Sequence, residues 1–155
     1  MQETLSKTII FKLNNQEYGA NIAQILSIEK LQEIVALPQT SDFIKGIINL
    51  RGTVTPIIDL RTRLGMKEME ETEQTRILIA KVKEIQIGLI VDEATDVIDI
   101  SPEKIEQTPE LVRDVDHRYL KGVAKLEERG MLLLLDLDHV LSMEEFTEIQ
   151  QVAQD

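Results

Sequence analysis

The sequence predicts a mainly β fold, two small β-barrels packed into one domain. Three observations point there. Short β-branched aliphatic runs recur along the chain, separated by turn residues. A motif in the first half reappears in the second. Hydrophobic residues make up 43% of the 155, yet aromatics only 3%. The interior is therefore built from Ile, Val and Leu.

Thr8 to Leu13 is apolar and β-branched. The polar stretch Asn14-Asn15-Gln16-Glu17 turns it back into Tyr18-Gly19-Ala20, a hairpin signal. Ile22, Ile25 and Leu26 fall at helical spacing and predict a short helix, which Leu31 to Ile34 follows irregularly. Pro38 breaks the chain, and Ser41 is placed to cap a single turn over 42–45. Ile47 to Leu50 and Val54 to Asp59 read as strands around Arg51-Gly52, with a helical turn over Leu60 to Leu64 and a C-cap at Gly65. Pro56 cannot donate to a ladder, so its strand is an edge there or carries a bulge.

Lys67 to Gln74 is a polar, mainly acidic loop, after which Arg76 to Val82 and Ile85 to Val91 form a second hairpin. Val97 to Ile100 is short and extended, and Ser101-Pro102 opens a short helix. Pro109 to Arg118 is a loop. Tyr119 to Leu126 and Met131 to Leu137 form a third hairpin, and a helical tail follows from Asp138 with Val140, Leu141, Met143 and Phe146 on a partial apolar face.

The repeat aligns Phe43 with Tyr119, Gly46 with Gly122 and Leu50 with Leu126. With one inserted residue it continues through Arg51-Gly52 with Arg129-Gly130, Asp59-Leu60 with Asp136-Leu137 and Leu64 with Leu141. A second echo pairs Tyr18-Gly19-Ala20 with Ile87-Gly88-Leu89. Two strand-rich units of about 60–70 residues, each marginal alone, bury a face against one another.

The net charge of −11 argues against nucleic acid and against anionic membrane surfaces, both of which call for Lys and Arg. No apolar run is long enough to span a bilayer, and Met1 to Lys7 carries no signal-peptide pattern. Cysteine is absent, which excludes disulfides and thiolate chemistry and fits a reducing cytosol.

An enzyme should show its constellation. The two histidines, His117 and His139, sit in no metal-ligand spacing, and no nucleophile elbow or phosphate-binding glycine loop occurs. Asp136, Asp138 and His139 could be drawn as hard-metal ligands, but Asp138 is better read as a cap and His139 as solvated. Asp92, Asp96 and Asp99 read as a solvated acidic face. The glycines at repeat-equivalent places read as tight turns or bends. Arg51 follows an apolar strand and precedes Gly52; its donor fork suits an internal carboxylate, a partner's groove, or both.

The run Phe43-Ile44-Lys45-Gly46-Ile47-Ile48-Asn49-Leu50-Arg51-Gly52, continued by Val54-Thr55-Pro56-Ile57-Ile58-Asp59-Leu60-Arg61, closely resembles the central motif of CheW-type chemotaxis coupling proteins. So does Gly88-Leu89-Ile90-Val91-Asp92 with Asp96-Val97. The resemblance extends from about Thr8 to Phe146. It implies two intertwined five-stranded SH3-like β-barrels with short helices and a C-terminal helix. One such domain spans 8–150, with motif cores at 43–64 and 119–141 and flexible ends at 1–7 and 151–155.

The resemblance further implies a non-enzymatic adaptor with no catalytic residue, cofactor or metal. Its partners are the regulatory domain of the chemotaxis histidine kinase and the cytoplasmic tip of the chemoreceptors. It implies a cytoplasmic protein, monomeric when isolated, recruited to membrane-bound receptor arrays without inserting into the membrane or binding nucleic acid. Because the module also occurs fused to kinase and receiver regions, the short chain favours the stand-alone adaptor. Ile25, Ser27, Arg51 and Val97 resemble positions of the receptor groove between the barrels, with Ile25 and Val97 supplying apolar contact and Arg51 orientation. Gly46 and Gly88 resemble glycines that shape that groove. The residues that meet the kinase are not implied. Many members carry Glu where this chain has Ser27, so Arg51 needs another partner, with Glu29 the candidate. Two readings compete: a module of this fold serving a different kinase pathway, and a metal-dependent enzyme using the acidic residues.

Overall fold

The computed structural model describes residues 6–38, 41–67, 70–106 and 119–154. Among the described residues, eleven strands form two mixed sheets. The first orders β8 (Glu93–Ile100), β1 (Ser6–Leu13), β2 (Gln16–Asn21), β11 (Gly130–Leu135), β10 (Leu120–Leu126) and the two-residue β9 (Ile105–Glu106). The second orders β3 (Ile25–Lys30), β6 (Arg76–Val82), β7 (Ile85–Val91), β5 (Thr53–Asp59) and β4 (Ile44–Leu50). The second lobe thus has five strands and the first six, the sixth being β9; its counterpart beside β4 is a lone bridge from Val35 to Ile47. These are two SH3-like lobes.

The lobes do not coincide with the halves of the sequence. Each takes its opening hairpin from one repeat and the rest from the other: β1–β2 join β8–β11, and β6–β7 join β3–β5. The repeat is reproduced in detail. In both lobes a parallel pair closes the sheet, Ile57 opposite Gly88 in one and Leu134 opposite Gly19 in the other. In both, the amide of the motif aspartate donates to the motif aromatic's carbonyl, Asp59 to Phe43 and Asp136 to Tyr119, each at 2.8 Å.

The exchange explains the unbroken aliphatic runs, since strands buried on both faces need apolar residues at every position. In β6, Leu78, Ala80 and Val82 enter a core shared by the two sheets, while Ile77 and Ile79 fill the interior of their own lobe with Ile48, Leu50 and Ile57. In β1, Ile9, Phe11 and Leu13 enter the shared core, and Ile10 joins Ile100, Ala124, Leu132 and Leu134 inside the other lobe.

Turn chemistry sets the hairpins. The first turn is two residues, Asn14-Asn15, tighter than the four-residue stretch the sequence suggests; both are left-handed, as are Lys83 with Glu84 and Arg51 with Gly52. Such turns match the natural twist of the strands. Pro56 lies just before β5 begins pairing with β7 at Ile57, so its missing donor falls where that side of the strand is an edge.

Several local expectations change. The predicted helix through Ile25 and Leu26 is a 3₁₀ turn over Ile22–Gln24, capped by Asn21, after which β3 begins. Pairing with β6 outweighs the helical spacing. Ser41 does not cap a helix; its amide and hydroxyl donate to Glu148. Asp138 does not cap the tail: Asp136 caps a 3₁₀ turn, and Ser142 with Glu145 forms a reciprocal cap on α2 (Met143–Gln154). Val140 and Leu141 are buried ahead of that helix, and Ile149 is its buried anchor; the side chains of Met143 and Phe146 lie outside the description. At the ends of the described chain, Ser6 and Lys7 pair with Ile100 and Asp99, and α2 runs to Gln154. The expected 109–118 loop, with His117, falls outside the described residues.

Candidate functional site

The exposed aliphatic side chains fall largely on the outer strands of the two sheets. Among the described residues β3 is paired on one side only, with β6, and β8 on one side only, with β1. Both pairings carry a bulge at the matching place, between Ile25 and Ser27 in one and opposite the Ile10–Phe11 step in the other. Beyond it, Ile28 sits opposite Leu78 and Val97 opposite Ile9, and both partners belong to the shared core. Ile28 and Val97 thus continue the face between the lobes outward to solvent, 47% and 49% exposed. Leu26, 53% exposed, is the extra residue of the β3 bulge.

Ile25 is half-buried against the shared core, so Ile28 and Leu26 present the apolar surface of β3 in its place. Sequence reasoning missed them. The signal was available in the alternation Leu26-Ser27-Ile28-Glu29, which the reading of a helix obscured.

Arg51 occupies the tight β4–β5 turn with φ of 51°, its neighbour Gly52 held by the side chain of Asn49. Its guanidinium is largely exposed and meets Glu29 of β3 at 3.3 Å. Ser27 hydrogen-bonds the same carboxylate, and that bond, ahead of the charge of Arg51, holds the Glu29 carboxyl below its ordinary range. Ser27, Glu29 and Arg51 therefore form one polar group. Val97 stands apart from it, on the other sheet.

Gly46 and Gly88 make room for the chain's own atoms. A Cβ at Gly46 would lie 2.1 Å from the carbonyl oxygen of Val35, and one at Gly88 would lie 2.5 Å from Ile57 Cδ1. Gly46 lets the Val35 segment lie against β4, and Gly88 lets Ile57 and Ile77 fill the lobe interior. They shape the lobe from within.

Asp59, Asp92, Asp136 and Asp138 are committed to structure, while Asp99 is exposed. Asp92 is no solvated acid: it accepts from Arg61 Nε at 2.8 Å and Nη2 at 2.6 Å, and from the amide of Asn14 at 2.7 Å. That pairing raises the pKa of Arg61 above its ordinary value, against the opposing pull of burial. Asp59 caps α1 (Leu60–Arg63) by accepting from the Arg61 amide and the Thr62 hydroxyl. A cavity of about 200 Å³ beside this helix is lined by Lys45, Asp59, Arg61 and Asp92. Arg61 pairs with Asp92 there and Lys45 lies 4.0 Å from Asp59, while Glu70 and Glu71 also line the cavity. Asp136 accepts from the Asp138 amide and meets His139 at 2.6 Å, while Asp138 accepts from Gln24. Among the described residues no group of three or more acids and histidines is placed to hold a metal, and no described helix is long and apolar enough to cross a membrane.

Two interlocked SH3-like lobes, with aliphatic side chains displayed on their outer strands and an exposed arginine in the β4–β5 turn, have the build of a protein-binding module. Residues 7–145 match the family model described as the CheW-like domain. The chain is 42% identical over 142 residues to the chemotaxis protein CheW of Bacillus subtilis, covering 92% of this chain and 90% of that protein. It is 36% identical over 145 residues to the chemotaxis protein CheW of Klebsiella aerogenes, covering 94% and 87%. The crystal structure of the scaffolding protein TtCheW from Thermoanaerobacter tengcongensis superposes with a TM-score of 0.84 at 32% identity, over 92% of this chain and 96% of that one. The chain belongs to the CheW family of chemotaxis scaffold proteins.

Proposed function

We propose that this chain is a non-enzymatic adaptor that couples the cytoplasmic tips of chemoreceptors to the regulatory domain of the chemotaxis histidine kinase. It works in the cytoplasm, is recruited to receptor arrays at the membrane, and is a monomer when isolated. The observation that carries the reading is the near full-length likeness to chemotaxis scaffolds. The receptor tip is a helical coiled coil, and a helix docks by laying apolar side chains into a groove. Ile28 and Val97 supply that contact from the two lobes, Ile25 backs it from below, and Arg51 fixes orientation by pairing an acidic receptor side chain.

Co-sedimentation with a receptor cytoplasmic fragment and the kinase regulatory domain tests this. Both partners are expected in the pellet with the adaptor. Arg51→His is expected to weaken receptor capture and leave the melting temperature near that of the parent, because the side chain is exposed and its turn is retained. Equal loss of stability and capture would remove Arg51 from the site. Capture of neither the receptor nor the chemotaxis kinase domain would transfer the module to another kinase pathway.

A further inference from the structure

Arg129, in the β10–β11 turn, is built into the fold in a way the adaptor reading leaves unused. Its guanidinium is mostly shielded and makes two ion pairs, Nη1 to Glu17 of β2 at 2.9 Å and Nη2 to Asp96 of β8. The sheet runs β8-β1-β2-β11, so this one side chain starts beside β11, passes β2 and reaches the outermost strand over β1. It grips β8 where the ladder is weakest, at the bulge, where the hydroxyl of Thr95 also turns back to the Ile10 carbonyl. Asp96 lies opposite Ile10 on the face toward the lobe interior, and Val97 follows on the opposite face. On the Asp96 side, Arg129 forms one wall of an open cleft of about 410 Å³ with Ile98, Ile100 and Leu126.

The other lobe repeats the device. Arg51 comes from the β4–β5 turn, which the sequence repeat aligns with the β10–β11 turn, and it reaches Glu29 on β3, again the outermost strand. Two independent hairpins therefore each send an arginine to the edge strand that carries an exposed aliphatic contact, Ile28 in one lobe and Val97 in the other. An edge strand has a ladder on one side only and drifts at little cost. A cation bridging it to the interior strands removes that freedom before a partner binds.

The geometry points to Arg129 as a positioning residue for receptor binding: through Asp96 and Glu17 it straps β8 so that Val97 is presented in a fixed place. This rests on the adaptor reading above. It acts on the face opposite Val97 and does not touch the partner.

The test uses the full chain and a soluble receptor cytoplasmic fragment, with binding of the kinase regulatory domain measured in parallel. Arg129→Ala and Asp96→Asn are each expected to weaken receptor binding about fivefold. Kinase-domain binding and melting temperature should stay near those of the parent, and β8 amides should exchange faster. Arg129→Lys should restore part of the affinity, because one ammonium cannot serve two carboxylates as the fork does. In combination with Val97→Ala, the loss from Arg129→Ala should shrink, since a misplaced strand matters less once its contact is gone. Weakened binding in Val97→Ala with parental binding in Arg129→Ala overturns the strap alone. Parental binding in Val97→Ala removes the receptor contact from β8, and the strap's role falls with it.

Discussion

Phe43 and Tyr119, aligned by the sequence repeat, share one cation: the guanidinium of Arg63 lies over both rings, 4.9 Å and 4.8 Å from their centroids. The two aromatics are buried, one in each lobe's motif. Arg63 also donates to the Val140 carbonyl at 2.6 Å and to Glu145 of α2 at 2.8 Å. One side chain thus joins both repeats and the C-terminal helix.

Arg63→Ala is expected to cost about 3 kcal/mol, combining two shielded cation–π contacts with two charge-assisted hydrogen bonds. Arg63→Lys should cost less, since an ammonium keeps the charge but not the planar stacking. Urea unfolding at constant m-value checks both. A loss under about 1 kcal/mol in the alanine variant would show that the lobes hold together without this junction.

Gly46 and Gly52 both have positive φ, at 146° and 91°, yet they should tolerate substitution very differently. A methyl group added at Gly52 would meet no atom within 4 Å, so Gly52→Ala is expected to cost about 1 kcal/mol of backbone strain. At Gly46 the same methyl would strike the Val35 carbonyl, and Gly46→Asp would add a charge with no water to receive it. That variant should fail to accumulate as folded protein, read by soluble yield and circular dichroism.

The Lys83-Glu84 turn between β6 and β7 places two residues with side chains in left-handed conformations, φ of 49° and 71°. Replacing the pair with Asn-Gly suits both positions and is expected to raise stability by about 1 kcal/mol. The exchange gives up the Lys81–Glu84 pair, which is exposed and contributes little. No rise in melting temperature would mean that the strain is relieved elsewhere.

Much of this architecture was legible in the residues because pattern and turn chemistry agree. The Arg76 to Val82 and Ile85 to Val91 strands have the bounds that alternation and punctuation suggest. The repeat foretold two like units, and Glu29, the acid two places beyond Ser27, is indeed the residue that meets Arg51. The exchange of hairpins was not derivable from the repeat, because an alignment states which strands correspond and not which sheet each joins. Ile28 was hidden for a related reason: Ile22, Ile25 and Leu26 satisfy a helical period over a stretch too short to discriminate, and pairing with β6 decided the outcome. Gly88 reads in the sequence as shaping the groove, and the atoms it admits, Ile57 and Ile77, come from strands distant in sequence, which no local pattern reveals.

The Glu29 carboxyl sets a pH dependence whose sign can be worked out. Its folded pKa is lowered below 4.5, first by the Ser27 hydrogen bond and then by Arg51. The charged form is favoured in the folded state, so the contribution is complete above the unfolded value and is lost as pH falls through the folded one. Carboxyl-carbon NMR should find Glu29 titrating below an ordinary glutamate. Ser27→Ala should move the midpoint upward. An unshifted midpoint in the parent would mean that Ser27 and Arg51 do not hold this carboxylate in solution.

Asp92 should be the most costly carboxylate to neutralise. Its pair with Arg61 is shielded on both sides, with side chains 17% and 10% exposed, and it ties α1 of one lobe to the β1–β2 turn of the other through the Asn14 amide. Asp92→Asn leaves the Arg61 guanidinium shielded with its nearest counter-charge removed and turns an amide N–H toward donors. The expected loss is about 3 kcal/mol. Asp96→Asn breaks a pair whose acid is 43% exposed, and there the expected loss of stability is under about 1 kcal/mol. Replacing Arg61 and Asp92 together by Met and Leu should cost less than Asp92→Asn alone, because no charge is stranded. If the double variant is the less stable of the two, the pair contributes more through its geometry between the lobes than through the balance of its charges.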